Sequence, residues 1–181
     1  MQAGREGRAT SDQGPQDGFT LIELMVTLSV LAILLMIAVP SFNEVTLGSK
    51  LGSLSNNFVA SAHQARSEAI KRNAVVSLCV SSNGTSCGAG GWEQGWIVRA
   101  TDGTIVLRQQ ALPTGFKMTE ADGATSFGFR PSGVGVTSDA ALPAALTVCR
   151  ATPTAGSQER VVTISATGRP SVTKTTTGLC S

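Results

Sequence analysis

Residues 18–40 read GFTLIELMVTLSVLAILLMIAVP, and the organisation of the rest of the chain turns on what this stretch is. From Phe19 to Val39 it is almost continuously apolar, with Glu23 as its one charge. A helix rises about 1.5 Å per residue, so a segment of this length reaches roughly 30 Å, the thickness of a bilayer's hydrocarbon core. A carboxylate inside such a segment costs about 2.5–3.5 kcal/mol or more, which by default marks a function. The competing reading is a plain signal anchor with an incidental glutamate.

Beyond the span lie about 140 residues, enough for one globular domain with its own core. The net charge of +2 gives no argument for nucleic acid. Four cysteines, Cys79, Cys87, Cys149 and Cys180, all follow the span. No CxxC occurs and the one histidine, His63, is remote from them, so neither a zinc site nor any other metal or cofactor is expected. An even count of cysteines fits disulfides in an oxidising compartment such as the periplasm or cell surface. Of the three pairings that four cysteines allow, the expected one is Cys79–Cys87 with Cys149–Cys180.

After Pro40 a helical pattern resumes. Leu47, Leu51, Leu54, Phe58, Ala62, Ala65 and Ala69 recur at steps of four and three and draw one apolar stripe. The change from large Leu and Phe to small Ala predicts close packing on a flat partner, a sheet. One helix of about 54 residues, kinked at Pro40, is expected; two helices hinged at Pro40–Asn43 are the alternative. The helix should end near Arg72-Asn73, because residues 74–80 (AVVSLCV) have a strand's composition. Next, Ser82-Asn83-Gly84 reads as a three-residue hairpin loop with Gly84 left-handed, which sets Cys79 opposite Cys87; a two-residue Asn-Gly turn would make them diagonal neighbours instead.

Further strands are expected at 92–99, 104–108, 115–119, 125–130, 146–150, 160–166 and 171–175. Turns or loops fall at Asp102-Gly103, Pro131-Ser132-Gly133 and 152–158. One long helix followed by short, closely spaced strands gives an α+β fold with an antiparallel sheet or sandwich. Trp92 and Trp96, four apart around Gly95, fit core packing better than a ligand-stacking box. Little here suggests catalysis. There is no GxSxG elbow, no partner for His63 and no paired carboxylates, and the glycine-rich 88–91 loop matches no phosphate-binding motif.

Gly18-Phe19-Thr20-Leu21-Ile22-Glu23 resembles the processing motif of type IV pilins and type II secretion pseudopilins. The resemblance implies a type IV pilin-like fold and cleavage after Gly18 by a prepilin peptidase, with N-methylation of Phe19. It also implies an assembly role for Glu23, whose carboxylate would pair with the Phe19 ammonium of a neighbouring pilin and so offset the burial of both charges. Pro40 matches a helix-breaking position of that family. The implied organisation is a leader at 1–18, a transmembrane and filament-core helix at 19–40, an amphipathic helix at 41–73 and a β-rich periplasmic domain at 74–181. The leader departs from the family's basic pattern, having two arginines against three acids; a translation start nearer to Gly14 accounts for this.

Ala65-Arg66-Ser67-Glu68-Ala69-Ile70-Lys71-Arg72, Gly95-Trp96 with Asp102-Gly103, and 160–165 with Gly168-Arg169 resemble the GspH/FimT branch of minor pilins and pseudopilins. What this implies is a non-enzymatic subunit, stored single-pass in the inner membrane with its C-terminal domain in the periplasm, then assembled with other pilins at or near a pilus tip. A GspH-like pseudopilin of type II secretion is the first alternative. The second is DNA binding for uptake, which in part of the branch uses a Gly-Arg-x-Arg motif. Here Gly168-Arg169-Pro170-Ser171 keeps the first arginine only, and Arg160 and Lys174 are the cations available beside Arg169 for phosphates.

Overall fold

A computed structural model describes residues 18–137, 142–151, 158–177 and 180. The expected leader before Gly18 and nearly all of the expected 152–158 loop lie outside the described residues. By contacts the chain divides into two units, Met1–Pro40 and Ser41–Ser181.

A single helix, α1 (Leu21–Arg72), runs through both units, so secondary structure is not interrupted at Pro40–Asn43. It ends where Asn73 adopts φ 50°, a left-handed position that asparagine tolerates. There the N–H groups of Asn73 and Ala74 return to the carbonyls of Ile70 and Ala69, satisfying the last turn.

In the second unit α1 buries Leu47, Leu51, Ser55, Phe58, Ala62, Ala65 and Ala69. The stripe therefore passes through Ser55 rather than Leu54, which is only half-buried. Ser55 can occupy a dry position because its hydroxyl bonds the Leu51 carbonyl at 2.8 Å within the helix.

The described residues form two antiparallel sheets. One has five strands in the order β3-β2-β1-β5-β6, the other four in the order β4-β7-β8-β9. The strands are β1 (Val76–Val80), β2 (Trp96–Ala100), β3 (Ile105–Gln109), β4 (Phe116–Glu120), β5 (Ser126–Phe129), β6 (Gly135–Thr137), β7 (Ala144–Arg150), β8 (Glu159–Ile164) and β9 (Pro170–Thr175). Phe58 of α1 meets Trp92, Trp96 and Phe127 edge-on at centroid distances of 5.2, 5.4 and 6.4 Å, and Trp92 stacks on Phe127. These rings join helix to sheet in one core, so the tryptophans are packing residues.

Three expectations are corrected. Residues 92–99 are not one strand: Trp92–Gln94 form a short 3-10 helix, and Gly95, at φ 105°, turns the chain into β2. β6 (Gly135–Thr137) is absent from the expected strands; it follows the expected turn at Pro131-Ser132-Gly133, which is present. Most consequentially, Cys79 and Cys87 do not sit in a hairpin. β1 pairs with β2 and β5, and 81–88 is a loop. The Asn83 carboxamide oxygen accepts the N–H groups of Thr85 and Ser86 at 2.9 and 3.0 Å, and the Gly88 N–H returns to the Val80 carbonyl. Asparagine's bonding to its own backbone thus folds the loop back, with Gly84 left-handed at φ 69°.

Candidate functional site

The first candidate is the start of α1. Gly18 to Thr20 precede the helix. Thr20 caps it, its hydroxyl accepting the Glu23 N–H at 3.3 Å and its carbonyl the Leu24 N–H at 3.2 Å. Thr20-x-x-Glu23 has the spacing of a capping box, with the acid near the positive end of the helix dipole. The Glu23 carboxylate makes no ion pair with any described residue.

Every side chain from Phe19 to Val39 is exposed in the single chain, Phe19 at 82%. The segment is long and apolar enough to cross a membrane. Its hydroxyls are satisfied internally, Thr27 on the Leu24 carbonyl and Ser29 on that of Met25, as a low-dielectric surrounding requires. Pro40 lies within α1 and, lacking an N–H, leaves the Met36 carbonyl without its usual partner.

The far end of α1 carries the second cluster. Arg72 bonds Glu68 at 2.9 Å and Asp102 at 3.3 Å, while Lys71 reaches Glu68 at 3.3 Å. Bonds from Arg72 and Lys71 hold the Glu68 carboxyl below its ordinary value. Asp102 is lowered chiefly by the Thr104 N–H, and Arg72 is raised by Glu68. The spacing of Glu68 and Arg72 on the helix and of Asp102 in the β2–β3 turn thereby finds its reason: together they tie the helix end to the sheet.

Two disulfides staple the domain. Cys79 is bonded to Cys87 with Cα atoms 5.5 Å apart, and Cys149 to Cys180 at 5.6 Å. The second holds the C-terminal tail over Glu159, which is 1% exposed and accepts the hydroxyls of Thr175 and Thr177.

The three candidate phosphate-binding cations are not gathered. Arg160 and Lys174 are cross-strand partners, but the Arg160 guanidinium donates to the Gly48 carbonyl of α1 at 3.2 Å. Arg169 is exposed in the turn at the other end of β8 and β9, five residues or about 16 Å along the strand from Lys174.

Three structural pairs escaped the sequence reading. Trp96 Nε1 donates to Ser61. Gly168, at φ 74°, sits so close to the β5–β6 turn that a Cβ would lie 2.7 Å from the Gly133 carbonyl. Glu120 caps the turn that follows β4. Only the last left a signal, an acid at a strand end before Ala121-Asp122-Gly123.

Two family models match the chain. "Type II transport protein GspH" matches over residues 54–168, and "Prokaryotic N-terminal methylation motif" over residues 14–39. The fold is similar to that of the type IV minor pilin FimU of Pseudomonas aeruginosa, in crystal structures from two space groups. Each has a TM-score of 0.52 and 20% identity; one match covers 69% of this chain and 89% of that chain, the other 68% and 92%. No curated protein matches the chain.

Proposed function

The chain belongs to the GspH family of pilin-like proteins, and on that premise we propose that it is a minor pilin of a type IV pilus. A prepilin peptidase cleaves after Gly18 and Phe19 is N-methylated. The apolar part of α1 holds the subunit in the inner membrane, with the disulfide-bonded domain in the periplasm, until assembly at or near the filament tip. The protein performs no catalysis; its work is assembly.

The observation that carries this reading is the state of Glu23. It is the one charge on the exposed apolar segment Phe19–Val39, placed in the first turn of α1 and without an ion-pair partner among the described residues. Burying it alone in a filament core is costly, whereas a neighbour's Phe19 ammonium supplies the opposite charge. A pilus rather than a secretion piston is supported by the two disulfides and by the fold shared with a minor pilin. DNA uptake has less support, since Arg160 is engaged with α1 and Lys174 lies far from Arg169.

Deleting the gene tests the assignment. The proposal expects loss or sharp reduction of surface pili with secretion intact, and restoration on complementation. Normal pili with failed secretion would replace it by the GspH-like pseudopilin role.

A further inference from the structure

Among the described residues β4 is an edge strand, paired on one side with β7. Its ladder bonds fall at odd-numbered residues: the Ala121 N–H goes to the Ala145 carbonyl, and the Ala151 N–H to the Gly115 carbonyl. Antiparallel geometry therefore turns the peptide groups of Met118 away from β7. Between β4 and the 90–93 segment lies a cleft of about 300 Å³. Gly90 and Gly91 line it without side chains of their own, and Glu93, Lys117 and Glu120 are its charged groups.

Glu120 is 4% exposed. Its Oε2 accepts the N–H groups of Asp122 and Ala124, each at 2.8 Å. Its Oε1 is buried and has no hydrogen-bond partner among the described residues. A buried acceptor left empty is costly. Glu120 is among the residues lining the cleft, whose volume far exceeds the roughly 15 Å³ that one water needs.

We propose that this cleft receives an extended segment of a partner polypeptide, which adds to the free edge at Met118 and sets a lysine or arginine head on Glu120. The cationic N–H group gives Oε1 the donor it lacks through a charge-assisted bond. Main-chain pairing supplies the rest, as in other strand additions. A divalent metal is a poorer fit, because it takes about six oxygen ligands and the described residues hold no group of three acidic, His or Cys ligands.

The test titrates the full-length protein in detergent micelles with acetyl-Thr-Val-Lys-Val-Thr-amide, following the amides of Gly91, Met118 and Glu120 by NMR. Saturable shifts at these amides are expected, with binding at least about tenfold weaker when norleucine replaces lysine. Glu120→Gln keeps one oxygen for Asp122 and Ala124 but puts an amide donor where Oε1 was, and should lose binding to a similar degree. If that variant fails to fold, Gly91→Leu serves instead: φ −83° at Gly91 suits an L-residue, and the new side chain, once it has pushed aside the flexible Glu93 carboxylate that lies over Gly91, would fill the cleft and abolish the shifts. Equal binding of the two peptides, no saturable shift, undiminished binding by the folded variant, or the same shifts with calcium chloride alone would each overturn the proposal.

Discussion

The indole N–H of Trp96 donates to the hydroxyl of Ser61 across 2.9 Å, wholly inside the core. Ser61 in turn donates to the Asn57 carbonyl at 2.8 Å. One small polar residue on an otherwise alanine-rich helix face thus satisfies the polar atom of a tryptophan that the sheet must bury. The same bond fixes α1 against β2, next to the ring cluster around Phe58.

Ser61→Ala should destabilise the domain by about 1–3 kcal/mol, because it strands a buried N–H. Urea denaturation should show a lower midpoint with an unchanged slope. The double variant Ser61→Ala with Trp96→Phe removes donor and acceptor together and should cost less than the sum of the single variants.

The glycines divide by what surrounds them. At Gly95 (φ 105°) a Cβ would lie 2.6 Å from the Gln109 carbonyl, so Gly95→Ala should lose about 1–3 kcal/mol. Gly52 lies on the helix with no atom within 4 Å of a built Cβ, and Gly52→Ala should gain about 0.5–1 kcal/mol. Paired thermal melts check both signs.

The disulfides should contribute unequally. Cys149–Cys180 spans 31 residues and Cys79–Cys87 spans 8. Loop-closure entropy then gives about 3–4 kcal/mol for the first and about 2–3 for the second. Replacing each pair by serines should lower the melting temperature more for Cys149/Cys180.

Acid should loosen the end of α1. Glu68 is held below its ordinary value of 4.5, chiefly by Arg72, and Asp102 below 3.8, chiefly by the Thr104 N–H. Groups with depressed folded values contribute stability above their ordinary values and lose it as pH falls through the folded ones. Melting temperature should therefore be level down to about pH 5 and fall below it. Glu68→Gln should flatten part of that slope, and added salt should shrink the effect.

Much of the fold is legible in local pattern. The 3.6-residue stripe placed the helix, and Asn73 marks its end. Strand composition located most of β1 to β9, although β6, three residues long, carried too little periodicity. What failed was non-local. Asn83-Gly84 signals a turn, yet whether Cys87 returns on a strand or a loop depends on β1 finding β2 and β5 as its neighbours. The bond to Cys79 forms all the same, because a short loop folded by Asn83 also brings the two cysteines together. Arg160 read as an available cation, since nothing in the sequence announces that β8 lays it against Gly48. Ser61 was hidden for the same reason: a serine on a buried stripe looks like a solvent-facing residue until its tryptophan is known.

In the proposed role, Glu23 assembles the subunit through its charge. The direct measurement follows Glu23→Ala in cells, comparing cleavage at Gly18 with recovery of the subunit in sheared filaments. Normal cleavage and a membrane-bound domain are expected, with the subunit missing from the filaments. Incorporation at the level of the unmodified protein would contradict that role.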